Sequence, residues 1–395
     1  MDIIGIIAEY NPFHNGHIYH INKIKEKYPD AILILVLNGY FLERGEISIL
    51  TKEEKTRIAL EYGVNIVLEL PFLMGSQSAD IFADASIKIL NNYHVNKIIF
   101  GSECNDVNML TNIAKAQFKD DFDELVKNYM DVGCNYPTAL ARACKVNFDF
   151  NPNDLLGISY IKAIINNNFN IDADVIKRTN SYHDKTSNEE IVSASNIREK
   201  IKENIDITNY LPNEVVNSLI RIDYSIFFKL LKSKIITDSD LSSYVDVDEG
   251  IEYRLKKYIN DVDNFFDYIN LIKTKRYTYN KLNRMFTHIL TNFKKEDNEE
   301  LEINYVRLLG FNKRGRSYLN KIKKDMEIPV VTGYNKINDK IFNIEKRVSY
   351  IYSLLIVNSD SYLEEENKNK PIILMWWLGF IFGNVDSSKY HGLLL

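Results

Sequence analysis

The sequence predicts an α/β protein, with a doubly wound parallel sheet in residues 1–200 and a mainly α-helical second domain in residues 201–395. Three observations carry this. Short, nearly continuous apolar runs rich in β-branched residues recur through the first half, the pattern of strands covered on both faces. Helix-period stretches separate them, as parallel pairing requires, because each crossover must return the chain to the same edge. Beyond residue 200 the runs give way to long helical periodicity rich in Leu, Ile, Lys and Tyr. At 395 residues, two domains are the expected division.

In order, the expected strands are "IIGIIA" at 3–8, "AILILVL" at 31–37, "NIVLEL" at 65–70, "KIIFG" at 97–101 and "DADVIK" at 172–177. Helices are expected over 17–28, 52–62, 78–92 and 155–167, and Pro212 marks a helix N-terminus in the second half. In an open sheet of this kind, ligands bind beyond the carboxyl ends of the strands. The polar segments that follow the runs, "YNPFHNGH", "NGYFLERGE", "ELPF" and "GSECND", are therefore expected to share one rim.

Composition narrows the class. Apolar residues make up 45% and charged residues 26%, an ordinary folded chain. Cys104, Cys134 and Cys144 have no CxxC spacing, which points to a reducing cytoplasm and away from a disulfide scaffold. The opening "MDIIGIIAEY" lacks the basic segment of a secretory leader. The apolar tract "PIILMWWLGFIFG" at 371–383 is too short to span a bilayer, so it is expected to be buried or to meet a partner, and no membrane association is expected.

Charge divides the chain. Residues 1–200 carry 20 Lys+Arg against 27 Asp+Glu, whereas 201–395 carry 29 against 27. Within the second half, residues 268–295 and 304–324 each hold seven basic residues and no carboxylate. Lys273, Lys275, Arg276, Lys281 and Arg284 interleave with Tyr277, Tyr279 and Phe286, a composition suited to phosphate contact and base stacking. Lys313, Arg314 and Arg316 lead the second tract. Such runs also form plain solvated helix faces, but two of them in an acidic chain favour RNA.

The chemistry concentrates in "AEYNPFHNGHIYH", residues 8–20. His14, His17 and His20 do not read as a metal site, because His14 precedes the helix and no cysteine or carboxylate stands at a recognised spacing. No metal ligand is assigned. His20 also reads as an ordinary core or surface imidazole. A strand, a Pro-containing turn, His-x-Gly-His and a helix N-terminus together suit a polyphosphate, since free N–H groups and the helix dipole attract anions. Gly16 is expected to let a nucleoside lie against the backbone.

"HNGH" resembles the HxGH signature of the nucleotidylyltransferase superfamily, and "VSASNIREK" at 192–200 resembles its late ISSTxIR motif. Ser193 and Ser195 read as helix caps and Arg198 as a bidentate fork for phosphate. The longer set, with "GYFLERGE", "KEEKTRIAL", "ELPF", "FGSE", "NPNDLLGISYIKAI", "KRYTYNKLNRM" and "VRLLGFNKRGR", is similar to the tRNA(Met) cytidine acetate ligases. Where that family usually has GNFVQRGE, this chain has Tyr40 and Glu43, so no acetate-pocket residue is assigned.

The resemblance implies an ATP-dependent ligase that activates acetate as acetyl-AMP and acetylates N4 of the wobble cytidine of elongator tRNA(Met). It implies catalytic roles for His14, His17, Ser195 and Arg198. It places ATP against Ile7, Ala8, Glu9, Tyr10, Asn11, Pro12, Phe13, His14, Asn15, Gly16, His17, Ile18, Tyr19 and His20, and against Gly101, Asn153 and Arg178. It also implies Mg²⁺ on the phosphates, with no protein ligand assigned. Asn153 reads equally as the cap of helix 154–167. Arg44 and Arg57 are further candidates to hold acetate, pyrophosphate or RNA phosphate, Arg57 reading also as an exposed partner of Glu53. Two other readings stay open: a small-molecule nucleotidylyltransferase of coenzyme-biosynthesis type, and a non-catalytic RNA-binding protein with a vestigial nucleotide fold. The oligomeric state is left unassigned.

Overall fold

The computed structural model describes every residue except 135, 147–149, 179–189, 300, 334–339, 358–369 and 375–395. Its strands are β1 (Ile3–Ala8), β2 (Ile32–Asn38), β3 (Ile66–Leu70), β4 (Lys97–Ser102), β5 (Asp172–Lys177), β6 (Val306–Asn312), β7 (Val330–Val331) and β8 (Ile372–Leu374). Among the described residues they form one sheet in the order β5-β4-β1-β2-β3-β6-β7, with β8 also on β6. The first five pair in parallel, and β6 runs antiparallel to β3. Strand order reverses between β1 and β4, so a ligand crevice belongs above their carboxyl ends.

Nine helices position the site: α1 (Asn15–Lys27), α2 (Lys52–Glu61), α3 (Ala79–Asn92), α4 (Pro152–Asn166), α5 (Ala194–Lys202), α6 (Tyr224–Thr237), α7 (Tyr279–Thr291), α8 (Lys313–Ile322) and α9 (Lys340–Leu355). Side chains alternate across a strand, so β2 serves two cores at once. Leu33, Leu35 and Leu37 pack with Ile21 and Ile24 of α1, Ile58 of α2 and Ile197 of α5. Ile34 and Val36 face the other way, into a core shared with Phe82 of α3, Ile158 of α4, Phe228 of α6, Phe286 of α7 and Tyr352 of α9. Helices from the second half thus complete the packing of the first-half sheet.

The tract 304–324 was expected to be an RNA-facing basic stretch of the mainly helical second half, but its first part is the buried strand β6. Arg307 disguises it in sequence. That side chain is 4% exposed and donates to Glu69 at 3.2 Å, and Glu69 also accepts from Lys52 at 2.5 Å. Opposite charges brought together by the sheet make the buried arginine tolerable. Gly315 explains the end of the same motif: a Cβ there would lie 2.1 Å from the Asn65 carbonyl oxygen, so only glycine lets α8 sit against the start of β3. Of the apolar tract 371–383, residues 372–374 form β8, and 375–383 lie outside the described residues.

Candidate active site

Above the carboxyl ends of β1, β4 and β5 lies a cleft of about 280 Å³. The structure brings Ile7, Ala8, Glu9, Tyr10, Asn11, His14, Gly16, His17, Tyr19, His20, Gly101, Asn153, Arg178, Ser195 and Arg198 to its walls. Pro12, Phe13, Asn15 and Ile18 are not on that surface. Phe13 is fully buried, and Asn15 donates from Nδ2 to the carbonyls of Glu190 and Asn209, tying the start of α1 to the approach to α5.

His14 and His17 close the N-terminus of α1 on each other. The Gly16 N–H donates to His14 Nδ1 at 3.0 Å, and the His14 N–H donates to His17 Nδ1 at 3.1 Å. The rings stack with centroids 3.9 Å apart. A nitrogen that accepts an N–H bears no proton, so each neutral imidazole must carry its hydrogen on Nε2. Burial holds the His14 pKa down to about 3, helped by the Arg178 and Arg198 charges, and burial likewise lowers His17 well below the usual range. His20 is lowered to about 4, again chiefly by burial. The site therefore works with uncharged imidazoles that donate hydrogen bonds.

A Cβ at Gly16 would sit 2.8 Å from His14 Cε1, so glycine here makes room for the capping imidazole while its backbone lines the cleft. Ser193, not Ser195, caps α5, accepting from the Asn196 N–H at 3.2 Å; Ser195 lies in the first turn, 3.4 Å from the Ser193 hydroxyl. Asn153 does not cap α4 either, because that helix starts at Pro152 with Asn151 as its cap residue. Its Nδ2 donates instead to Glu103 at 2.6 Å.

Arg198 reaches across the cleft from α5 and donates to the Asn11 carbonyl at 2.7 Å and to both carboxylate oxygens of Glu46 at 2.6 and 2.8 Å. Arg178 packs beside Gly101, with its Nε 3.4 Å from Glu103. Arg57 is remote from the cleft and pairs with Glu54 and Glu61, not with Glu53. Tyr40 is also away from it, buried against Tyr352 with ring centroids 4.1 Å apart.

Arg44, a candidate from sequence to hold acetate, pyrophosphate or RNA phosphate, lines the cleft from the loop after β2 together with Glu43 and Glu46, for which sequence reasoning named no role. The "ERGE" segment was the available signal. Glu9 joins this loop to β1, accepting from the Asn38 amide at 2.9 Å and the Glu43 N–H at 2.8 Å. Burial, then the nearby Glu9 carboxylate, raises the Glu43 pKa to about 7 against the pull of Arg44 and Arg284.

The two basic tracts separate in space. Arg284 of α7 approaches the cleft loop, 3.9 Å from Glu43, and the Thr287 hydroxyl donates to the Gly45 carbonyl at 3.4 Å. Lys273, Lys275 and Arg276 are exposed next to that helix, Arg276 in an ion pair with Glu249, and Lys281 lies over the Tyr277 ring. Tyr277 and Phe286 are buried, so of the three interleaved aromatics only Tyr279 is open to a base. Lys313, Arg314 and Arg316 lie beyond the end of β6, which pairs with the start of β3. They therefore occupy the opposite rim, roughly 20 Å away along the strands. There Arg314 donates to the Asp30 carbonyl at 2.8 Å.

Among the described residues no group of three or more His, Cys, Asp or Glu side chains is placed to hold a metal ion, and no helix is long and apolar enough to cross a membrane. A doubly wound sheet with a paired-imidazole helix cap and an arginine from a later helix over its switch point defines a nucleotidyl transferase. A family model described as HIGH Nucleotidyl Transferase matches residues 1–368. The tRNA(Met) cytidine acetate ligase of Geobacillus sp. (strain WCH70) is 37% identical over 400 residues, covering 94% of this chain and 100% of the relative. That of Fusobacterium nucleatum subsp. nucleatum is 35% identical over 402 residues, covering 94% and 98%. The crystal structure of Thermotoga maritima TmcAL in its apo form superposes with a TM-score of 0.85 at 25% identity, covering 95% of this chain and 100% of that one. The same protein bound with alpha-thio ATP gives 0.83. The chain belongs to the HIGH nucleotidyl transferase family and, within it, to the tRNA(Met) cytidine acetate ligases.

Proposed function

We propose that the protein is an ATP-dependent acetate ligase that acetylates N4 of the wobble cytidine of elongator tRNA(Met) in the cytoplasm. Acetate attacks the α-phosphate of ATP, pyrophosphate leaves, and acetyl-AMP forms. The cytidine N4 amine then attacks the acetyl carbonyl, loses a proton and expels AMP. The observation that carries this reading is the pair of neutral imidazoles at the α1 N-terminus, in a cleft that Arg178 and Arg198 also line.

For the first step the protein needs to fix geometry and neutralise charge rather than form covalent bonds. His14 and His17 donate to phosphate oxygens, the first turn of α1 adds its dipole, and Ser195 and Arg198 hold the leaving pyrophosphate. Uncharged donors suit this work, because they keep the same protonation state from reactants to adenylate. Gly101, Asn153 and Arg178 hold the nucleoside on the β4–β5 side. The described residues provide no ligand cluster for Mg²⁺; an ion held by phosphate oxygens and water, as Mg²⁺ commonly is, would supply further charge neutralisation.

Residues 1–200 serve ATP and acetate, and the second half serves tRNA. Arg284 approaches the cleft loop and, with Lys273, Lys275, Arg276 and Lys281 just before it in the chain, takes the anticodon arm; Lys313, Arg314 and Arg316, on the far rim, act only on more distant phosphates. The two competing readings are weaker. Full-length similarity to acetate ligases leaves no reason to prefer a small-molecule transferase, and the intact imidazole pair speaks against a vestigial site.

Incubating the protein with radiolabelled acetate, ATP and total tRNA, followed by nucleoside analysis, tests the reading. Acetylcytidine should form only with all three, and pyrophosphate only with acetate. ATP consumption at the same rate without acetate would rule it out.

A further inference from the structure

Glu103 follows β4 in the "FGSE" segment and stands directly behind the nucleoside side of the cleft. Its side chain is only 9% exposed. The Glu103 N–H and the Cys104 N–H donate to Asp154 Oδ1 at 3.1 and 3.3 Å, and the Ser102 hydroxyl donates to the same oxygen at 2.6 Å. This fixes the turn that carries the carboxylate. Glu103 Oε1 accepts from Asn153 Nδ2 at 2.6 Å and lies 3.4 Å from Arg178 Nε. Glu103 Oε2 and Arg178 Nε are both buried and make no hydrogen bond, although Nε already stands in ion-pair range of Oε1 on the same carboxylate.

A buried acceptor and a buried donor left unpaired are each costly, and the cost disappears if a small movement joins them. Arg178 has room for that movement, since it packs over Gly101, where a Cβ would meet its Cγ at 3.3 Å. Asn153 and Arg178 both line the cleft, whereas Glu103 does not.

We propose that Glu103 is a positioning residue for the nucleotide: it holds Asn153 through one oxygen and draws Arg178 into a closed ion pair through the other when a nucleoside triphosphate fills the cleft. The placement of a nucleotide here rests on the function proposed above. In this arrangement Glu103 tunes how tightly the nucleotide is held without touching the reacting atoms. Its loss weakens ATP binding more than it slows the chemical step.

The test is a titration of the full-length protein with alpha-thio ATP, alongside acetate-dependent pyrophosphate exchange. Glu103→Gln keeps the contact to Asn153 but loses the charge. It should raise the analogue Kd and the KM for ATP about tenfold, with kcat within about twofold of the parent. In an Arg178→Lys background, which lacks the Nε–H, the same substitution should have almost no further effect. Additive effects of the two substitutions, or a fall in kcat with KM intact, would overturn the proposal. Analogue binding is read independently of turnover. If the parent protein binds alpha-thio ATP but shows no acetate-dependent exchange, the functional reading fails while the Glu103 proposal is still decided by the titration.

Discussion

Arg198 and Glu46 are joined by two hydrogen bonds of 2.6 and 2.8 Å across the mouth of the cleft, linking the helix after the "SASNIR" motif to the loop after β2. The pair is partly exposed, so its value lies less in stability than in where it leaves the guanidinium. Glu46→Ala should let Arg198 wander and cut acetate-dependent pyrophosphate exchange about tenfold or more, because misplacement by a fraction of an ångström is enough. Exchange within twofold of the parent would remove Glu46 from the site.

Losing either imidazole should be far more damaging. His14→Ala removes the proposed phosphate donor and uncaps α1; His17→Ala removes the acceptor for the His14 N–H. Each should lower adenylate formation by about 10² to 10³, the usual cost of a lost preorganised donor. Affinity for tRNA, measured by filter binding, should change little.

The pH dependence of stability has a definite sign. His14, His17 and His20 are depressed below 6.5 in the fold, so the unfolded chain binds protons that the folded one refuses. Their stability is complete above about pH 6.5 and is lost as pH falls toward 4, at about 1.4 kcal/mol per pH unit for each imidazole. Urea unfolding at pH 7 and pH 5 should show a slope that shrinks by about one proton in His20→Gln. Glu43 acts oppositely: with its pKa raised to about 7, its contribution is complete below about 4.5 and lost as pH climbs through 7, so Glu43→Gln should gain relative stability at pH 8.

Charge reversal should distinguish the two basic tracts. Lys273→Glu with Lys275→Glu, in the tract that leads into α7, should weaken tRNA binding about tenfold and flatten its dependence on salt. Lys313→Glu with Arg316→Glu, on the far rim, should have a smaller effect. Equal losses would mean that tRNA reaches both rims.

Gly315→Ala should cost about 1 to 3 kcal/mol, the range for overpacking, since the new methyl meets the Asn65 carbonyl and neither backbone can yield. Thermal unfolding would register it as a lower Tm with the nucleotide site unchanged.

The parallel strands and the HxGH turn were legible because each rests on local information. An unbroken apolar run such as "AILILVL" has few alternatives to a buried strand, and a histidine, a glycine and a histidine at a helix start constrain one another within four residues. Glu46 and Glu103 were not legible as site residues. Each matters through a partner far off in the chain, Arg198 for one and Arg178 with Asn153 for the other. Strand β6 was hidden for a related reason, because Arg307 looks like a surface residue until Glu69 lies beside it.

By itself, the sequence determined the order of the five parallel strands in the first half and the placing of an HxGH turn after the first of them, both of which follow from periodicity and from contacts between near neighbours; the family was read from the resemblance of its motifs. The tertiary structure alone decided that the imidazoles are uncharged with their protons on Nε2, that strands from the second half complete the sheet, and that the two basic tracts occupy opposite rims. Burial, charge pairing and distance are properties of residues brought together by folding, and they are settled only when the sheet closes.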